Sequence, residues 1–184
     1  MKRTTLFLAV ALGLATAPAA MAQSDLGLKH VGVSLGFVSP ERLDATFSFG
    51  AFADWGQIAP KVTLESRVDH WSWSETLLGV ESKLRDISVA VRGKYHFETA
   101  NPKVRPFAGA GLGMHFLNAE VTDTNSSPAT SVSDSQTKLG LDLGGGLMTP
   151  LNPRTDFVGE AWYGIVSDVT QFSIRAGLSY KIGK

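Results

Sequence analysis

The chain has no cysteine. That excludes a disulfide framework, a thiolate nucleophile and any cysteine-ligated metal. It has no surplus charge of either sign, because Lys plus Arg and Asp plus Glu are 17 each. Nucleic acid is therefore not expected as a partner. Past the N-terminus no apolar run approaches the about 20 residues that a membrane-crossing helix needs. Histidine is scarce: His30, His70, His96 and His115 fall in separate segments without the spacing of a metal cluster. No metal and no cofactor are expected.

What is present begins with the first 22 residues. Lys2 and Arg3 precede an apolar run from Leu6 to Leu14, and small residues lead to Ala20–Ala22, an A-x-A-type cleavage site. This reads as a signal peptide over 1–22, cleaved near Ala22, followed by one domain over 23–184. The domain lies beyond the inner membrane.

From residue 30 onward, apolar and polar residues alternate with period two, broken by turn residues. The pattern predicts strands at about 30–38, 45–55, 60–73, 83–97, 104–118, 136–148, 154–166 and 170–182. Residues 74–82 and 119–135 read as the two longest connections. Sorting side chains by phase gives two sets. One runs through Val31, Val33, Leu35, Phe37, then Val89, Val91, then Leu139, Leu141, Leu143, then Ile174, Ala176, Leu178 and their equivalents, without a single Asp, Glu, Lys or Arg. The other holds Lys61, Glu65, Arg67, Asp69, Arg92, Lys94, Lys138, Asp142, Asp156, Glu160, Arg175 and Lys181.

Glycine position indicates which set faces inward. "RPFAGAGLGMHF", residues 105–116, looks at first like a phosphate loop, but Gly109, Gly111 and Gly113 alternate strictly and no helix follows. They belong to a strand, and to its polar phase, as do Gly140, Gly144 and Gly146. In a barrel of eight strands the interior is barely wide enough for side chains, so small residues facing long charged ones fit inside. The apolar set then faces lipid. Aromatics lie at both ends of the strands, which suits two bilayer interfaces. The expected girdle is Trp55, Trp71, Trp73, Tyr95, Tyr163 and Tyr180, with Trp71 and Trp73 anchoring the strand-three end.

With these features the chain resembles the small outer-membrane β-barrel proteins of the OmpA/OmpX/OmpW type. The resemblance is densest in "VRGKYHF" (91–97), "VRPFAGAGLGMHF" (104–116), "KLGLDLGGGL" (138–147) and "FSIRAGLSYKIG" (172–183). It implies an all-β fold, an eight-stranded antiparallel up-and-down transmembrane barrel after a cleaved signal peptide. Members serve as structural barrels, adhesins, small-solute pores or lipid-modifying enzymes. They usually end in an aromatic residue, whereas here Lys184 occupies that phase.

For chemistry, "HFLNA" (115–119) resembles the His-x-Ser-Asn segment of lipid A deacylases, but Leu117 stands at the nucleophile position. The enzyme reading fails there. The remaining constellation is Glu65, Arg67, Arg92, Lys94, Asp142, Glu160 and Arg175, mid-strand charges that must pair with one another inside a closed lumen. The expectation is a monomeric, non-enzymatic outer-membrane protein with a plugged lumen and a structural or adhesive role. Its partners would be outer-membrane lipid, lipopolysaccharide and the barrel-assembly machinery. The alternatives are a narrow pore for ions or small solutes and a soluble periplasmic lipid-binding barrel.

Overall fold

The structure is a computed structural model that describes residues 25–101, 103–123, 130–167 and 169–182. The expected signal peptide, its cleavage site at Ala22 and the terminal Lys184 lie outside the described residues. The described residues form eight strands: β1 (Asp25–Pro40), β2 (Thr46–Ala59), β3 (Val62–Leu77), β4 (Val80–His96), β5 (Arg105–Asp123), β6 (Thr130–Asn152), β7 (Thr155–Val166) and β8 (Gln171–Lys181). Each pairs antiparallel with the next, and β1 pairs with β8 from His30↔Lys181 to Pro40↔Gln171, which closes the barrel.

The alternation seen in the sequence becomes the two faces of this wall. Leu112 and Leu139 are 70% and 75% exposed, while Glu65, Arg67 and Asp142 on the opposite phase are buried. The apolar set therefore faces out and the charged set fills the inside. This arrangement overturns the soluble lipid-binding alternative, which requires an apolar lumen. It suits a bilayer, where every backbone group must be paired and no sheet edge can face lipid.

The first and last described residues, Asp25 and Ile182, lie at one end of the barrel, the terminal end, together with the connections β2–β3, β4–β5 and β6–β7. The opposite end carries the other four connections and is called here the hairpin end. At the terminal end the turns follow local chemistry. Lys61 takes a positive φ of 63° after Pro60, and Asn152 Oδ1 accepts from the Arg154 N–H at 2.9 Å.

At the hairpin end the structure corrects two expectations. Residues 74–82 are not a long loop: β3 and β4 stay in register to Leu77↔Val80, around a two-residue turn at Leu78 and Gly79. Residues 119–123 and 130–135 likewise continue as paired strand, to Asp123↔Thr130. Their polar, Ser/Thr-rich composition hid a strand that is wet on both faces. β3 to β6 thus extend beyond the wall as a four-stranded sheet. β2 pairs with β3 only as far as Ser48↔Trp71, and β7 pairs with β6 only from Gly140↔Val166. Among the described residues, 130–137 of β6 therefore have a ladder partner on one side only.

Candidate functional site: the lumen and its two mouths

All seven lumen charges expected from the sequence are brought together inside the barrel. The Arg67 guanidinium is at the centre. Its Nε and Nη2 donate to Asp69 Oδ2 and Oδ1 at 2.8 and 3.0 Å, and Nη1 donates to Glu160 Oε1 at 2.6 Å and Glu65 Oε1 at 3.4 Å. Nη2 also reaches Ser34 Oγ at 3.3 Å. Lys94 Nζ donates to Glu65 Oε2 and lies 3.5 Å from Glu160 Oε2. Arg92 donates through Nε and Nη2 to Asp142 Oδ2 at 2.9 and 2.7 Å. Arg175 Nη1 lies 3.2 Å from Asp69 Oδ2.

Four cations (Arg67, Arg92, Lys94, Arg175) thus face four carboxylates (Glu65, Asp69, Asp142, Glu160), and the cluster is formally neutral. That balance is what permits it: one buried charge without a partner costs several kcal/mol, and mutual pairing with hydrogen bonds offsets most of this. Asp69 was not among the expected members. It shares the phase of Glu65 and Arg67, so the alternation could have found it.

The register also explains the glycines of β5. Arg92 on β4 pairs in register with Gly111, and Gly111 pairs with Asp142 on β6. The arginine reaches its carboxylate by lying across the intervening strand, and a Cβ on Gly111 would sit 2.5 Å from Arg92 Cγ. Trp162 on β7 crosses β6 in the same way. It lies over Gly144, where a Cβ would stand 2.7 Å from its ring, and its far edge is 3.0 Å from the Cβ position of Gly109. The Arg92 guanidinium stacks 4.0 Å from the Trp162 ring centroid. The glycine stretch that looked like a phosphate loop is the floor on which two large side chains lie.

Apolar layers flank the ions. Toward the terminal end, Trp162 packs with Phe52, Phe107 and Val158. Toward the hairpin end, Val38, Trp71 and Leu117 form a second cluster, with Trp73 and Leu84 against it. This corrects two girdle assignments. Trp71 is 2% exposed and Trp73 joins the same interior cluster, because both share the inward phase of Arg67 and Asp69. Trp55, Tyr95, Tyr163 and Tyr180 do face outward, and Trp55 Nε1 donates to Ser66 Oγ at 2.8 Å.

Next to Trp71, His115 Nδ1 and Asp86 Oδ2 are 2.7 Å apart, both buried. Leu117 is buried beside them, so the "HFLNA" segment presents its histidine to the lumen and not to lipid. Sequence reasoning missed this pair, although Asp86 has the phase of Arg92 and Lys94. At the terminal mouth a recess of about 800 Å³ is lined by His30, Asp54, His96, Arg105 and Lys181, among others. Arg105 is bound to Asp156 at 2.7 Å, and Lys61 lies 3.1 Å from Glu98, whose carboxylate raises the lysine's pKa. Among the described residues no His, Asp and Glu group is arranged to hold a metal ion.

Comparison with known proteins agrees with this architecture. No curated protein matches the chain. Among solved structures, Ail, the attachment invasion locus protein of Yersinia pestis, solved with the heparin analogue sucrose octasulfate, is 16% identical, with a TM-score of 0.57 over 84% of this chain and 99% of Ail. Neisserial surface protein A is 23% identical, with a TM-score of 0.55 over 83% of this chain and 95% of its own. OprG from Pseudomonas aeruginosa is 12% identical, with a TM-score of 0.55 over 86% and 98%. At these identities the likeness is one of fold. The family model "Outer membrane protein beta-barrel domain" matches residues 7–181, and the chain belongs to that family, as an integral outer-membrane β-barrel protein of a Gram-negative bacterium.

Proposed function

We propose that the chain is a closed, non-enzymatic barrel that acts at the cell surface through its hairpins, as an adhesion or interaction protein. The observation that carries this reading is the division of the molecule at the barrel rim. Below it, paired charges and two apolar layers occupy the lumen. Above it, four strands continue as a sheet in which, among the described residues, 130–137 of β6 pair with β5 and have no ladder partner on the other side. An open edge is a template for a strand from another protein, with main-chain hydrogen bonds supplying the affinity. Beside it, the β3–β4 tip carries Leu77 and Leu78, which are 62% and 91% exposed. The longer strands at the hairpin end support a reading in which that end faces out of the cell and the short turns face the periplasm. On the same reading the chain is inserted by the barrel-assembly machinery and stands as a monomer among outer-membrane lipid and lipopolysaccharide.

Two measurements on one pair of proteins test this: planar-bilayer conductance and adhesion of expressing cells. The second protein has β3–β4 and β5–β6 shortened to the rim. The wild type should be non-conducting, and shortening should abolish adhesion while the barrel stays folded. Conductance steps from the wild type would establish the pore reading in its place.

A further inference from the structure

We infer that the outward face of the barrel around Arg85 binds the phosphate of an acylated, phosphorylated glycolipid in the outer leaflet. The apolar band on β4 runs outward through Val91, Val89 and Ile87, and the next outward residue toward the hairpin end is Arg85, which is exposed. In register, Arg85 lies between Ser72 on β3 and Asn118 on β5, and Asn118 pairs with Ser135 on β6. One row of four strands, directly above Ile87 and Phe116, therefore reads Ser, Arg, Asn, Ser.

Among the described residues no carboxylate is paired with this guanidinium. Lys83, the next outward cation on β4, is held by Glu81 at 2.9 Å. Asn118 Nδ2 donates to Ser135 Oγ at 2.8 Å, which fixes the amide beside the arginine. A guanidinium at the boundary of a lipid-facing band stands at the depth of the headgroup anions and is free to meet one there. A planar fork of donors flanked by the Ser72 hydroxyl and the Asn118 amide matches a phosphate in two-point geometry. The ligand's acyl chains would lie on Ile87, Val89 and Phe116 below. A bilayer supplies that combination of phosphate and tails at this depth, whereas a soluble anion supplies only the phosphate.

The inference rests on the hairpin end lying in the outer leaflet. Its test is read in micelles regardless of orientation, so a failed adhesion assay and a failed lipid assay are separate results. The full chain, folded in a neutral detergent, is titrated with bis-phosphorylated lipid A and with its dephosphorylated form, and bound lipid is counted by native mass spectrometry. The wild type should retain the phosphorylated form at least about tenfold more tightly than R85Q does, with R85K intermediate. S72D, which offers Arg85 a carboxylate from its register neighbour, should weaken binding as R85Q does. K103Q, an exposed cation at the opposite end, should bind like the wild type. Both Arg85 and Ser72 are exposed, so the faster migration of the unboiled, folded band on a gel should survive in every variant. Equal retention by R85Q and wild type would overturn the inference. So would equal retention of the dephosphorylated lipid, which would mean that tails alone bind. Complete displacement by millimolar inorganic phosphate would also overturn it, by making the site one for free anions.

Discussion

Arg67 and Arg85 carry the same guanidinium on opposite faces of one barrel wall, and each is provided for differently. Arg67 is fully enclosed, and carboxylates from β3 and β7 surround it. Arg85 stands outside with hydroxyl and amide neighbours and, among the described residues, no carboxylate partner. A charge inside a closed lumen must bring its partner along in the fold. A charge on the rim can leave its partner to the membrane. The first kind is a condition for folding, and the second can be a site.

Removing the inner cation should have the largest effect. Arg67→Ala leaves Glu160, Asp69 and Glu65 with one cation fewer in a buried cluster, at a cost of about 3–5 kcal/mol. Urea unfolding in micelles, read on the unboiled gel band, should show the midpoint fall accordingly. A shift as small as that of Arg85→Gln would mean that the lumen is wet enough to solvate its own carboxylates.

The outward face can be broken from the other side. Val91 lies midway along the β4 band, between Ile87 and the girdle residue Tyr95, and is 49% exposed to lipid. Val91→Arg puts a cation where no phosphate reaches, and should cost about 2–4 kcal/mol. The same measurement on Arg85→Gln should show almost no change, since that arginine already sits at the boundary. If the two variants were equally stable, the band would not lie at bilayer depth.

A smaller effect separates size from charge. Gly111→Val keeps the lumen neutral but pushes a side chain into Arg92, whose Cγ is 2.5 Å from the new Cβ. Overpacking of this kind costs about 1–3 kcal/mol. The same change at Gly93, whose nearest neighbour to a new Cβ is a carbonyl oxygen at 4.0 Å, should cost less. Equal losses at both positions would remove the crossing of β5 by Arg92 as the reason for its glycines.

The alternation of side chains makes the wall legible in the sequence alone. Eight strands and their two faces follow from phase, because a one-residue slip would move every charge into lipid, while the expected ion cluster left out Asp69. Trp71 and Trp73 show where the reading failed. Their phase was inward, but a preference of tryptophan for interfaces displaced the stronger rule. The protruding strands failed for a different reason. With water on both faces, residues 130–135 carry one apolar side chain, Val132 opposite Val121, too few for period two to show. Which cation meets which carboxylate was equally hidden. That depends on the stagger between strands, as when Arg92 on β4 reaches Asp142 on β6 over Gly111.

The least disruptive change tests the tip. Leu78 takes a positive φ of 49° and Gly79 one of 79° in the β3–β4 turn. Two-residue hairpins favour positive φ at both centres, and asparagine before glycine suits them best. A branched aliphatic residue pays a steric penalty there of roughly 1–2 kcal/mol, so Leu78→Asn should stabilise the hairpin by up to about that amount. A residue that is both strained and 91% exposed contributes little to folding, and its side chain is better explained by contact with something outside the molecule. The variant should therefore unfold at slightly higher urea and adhere less. Greater stability with undiminished adhesion would clear the tip of any role in binding and leave the edges of the protruding sheet as the contact.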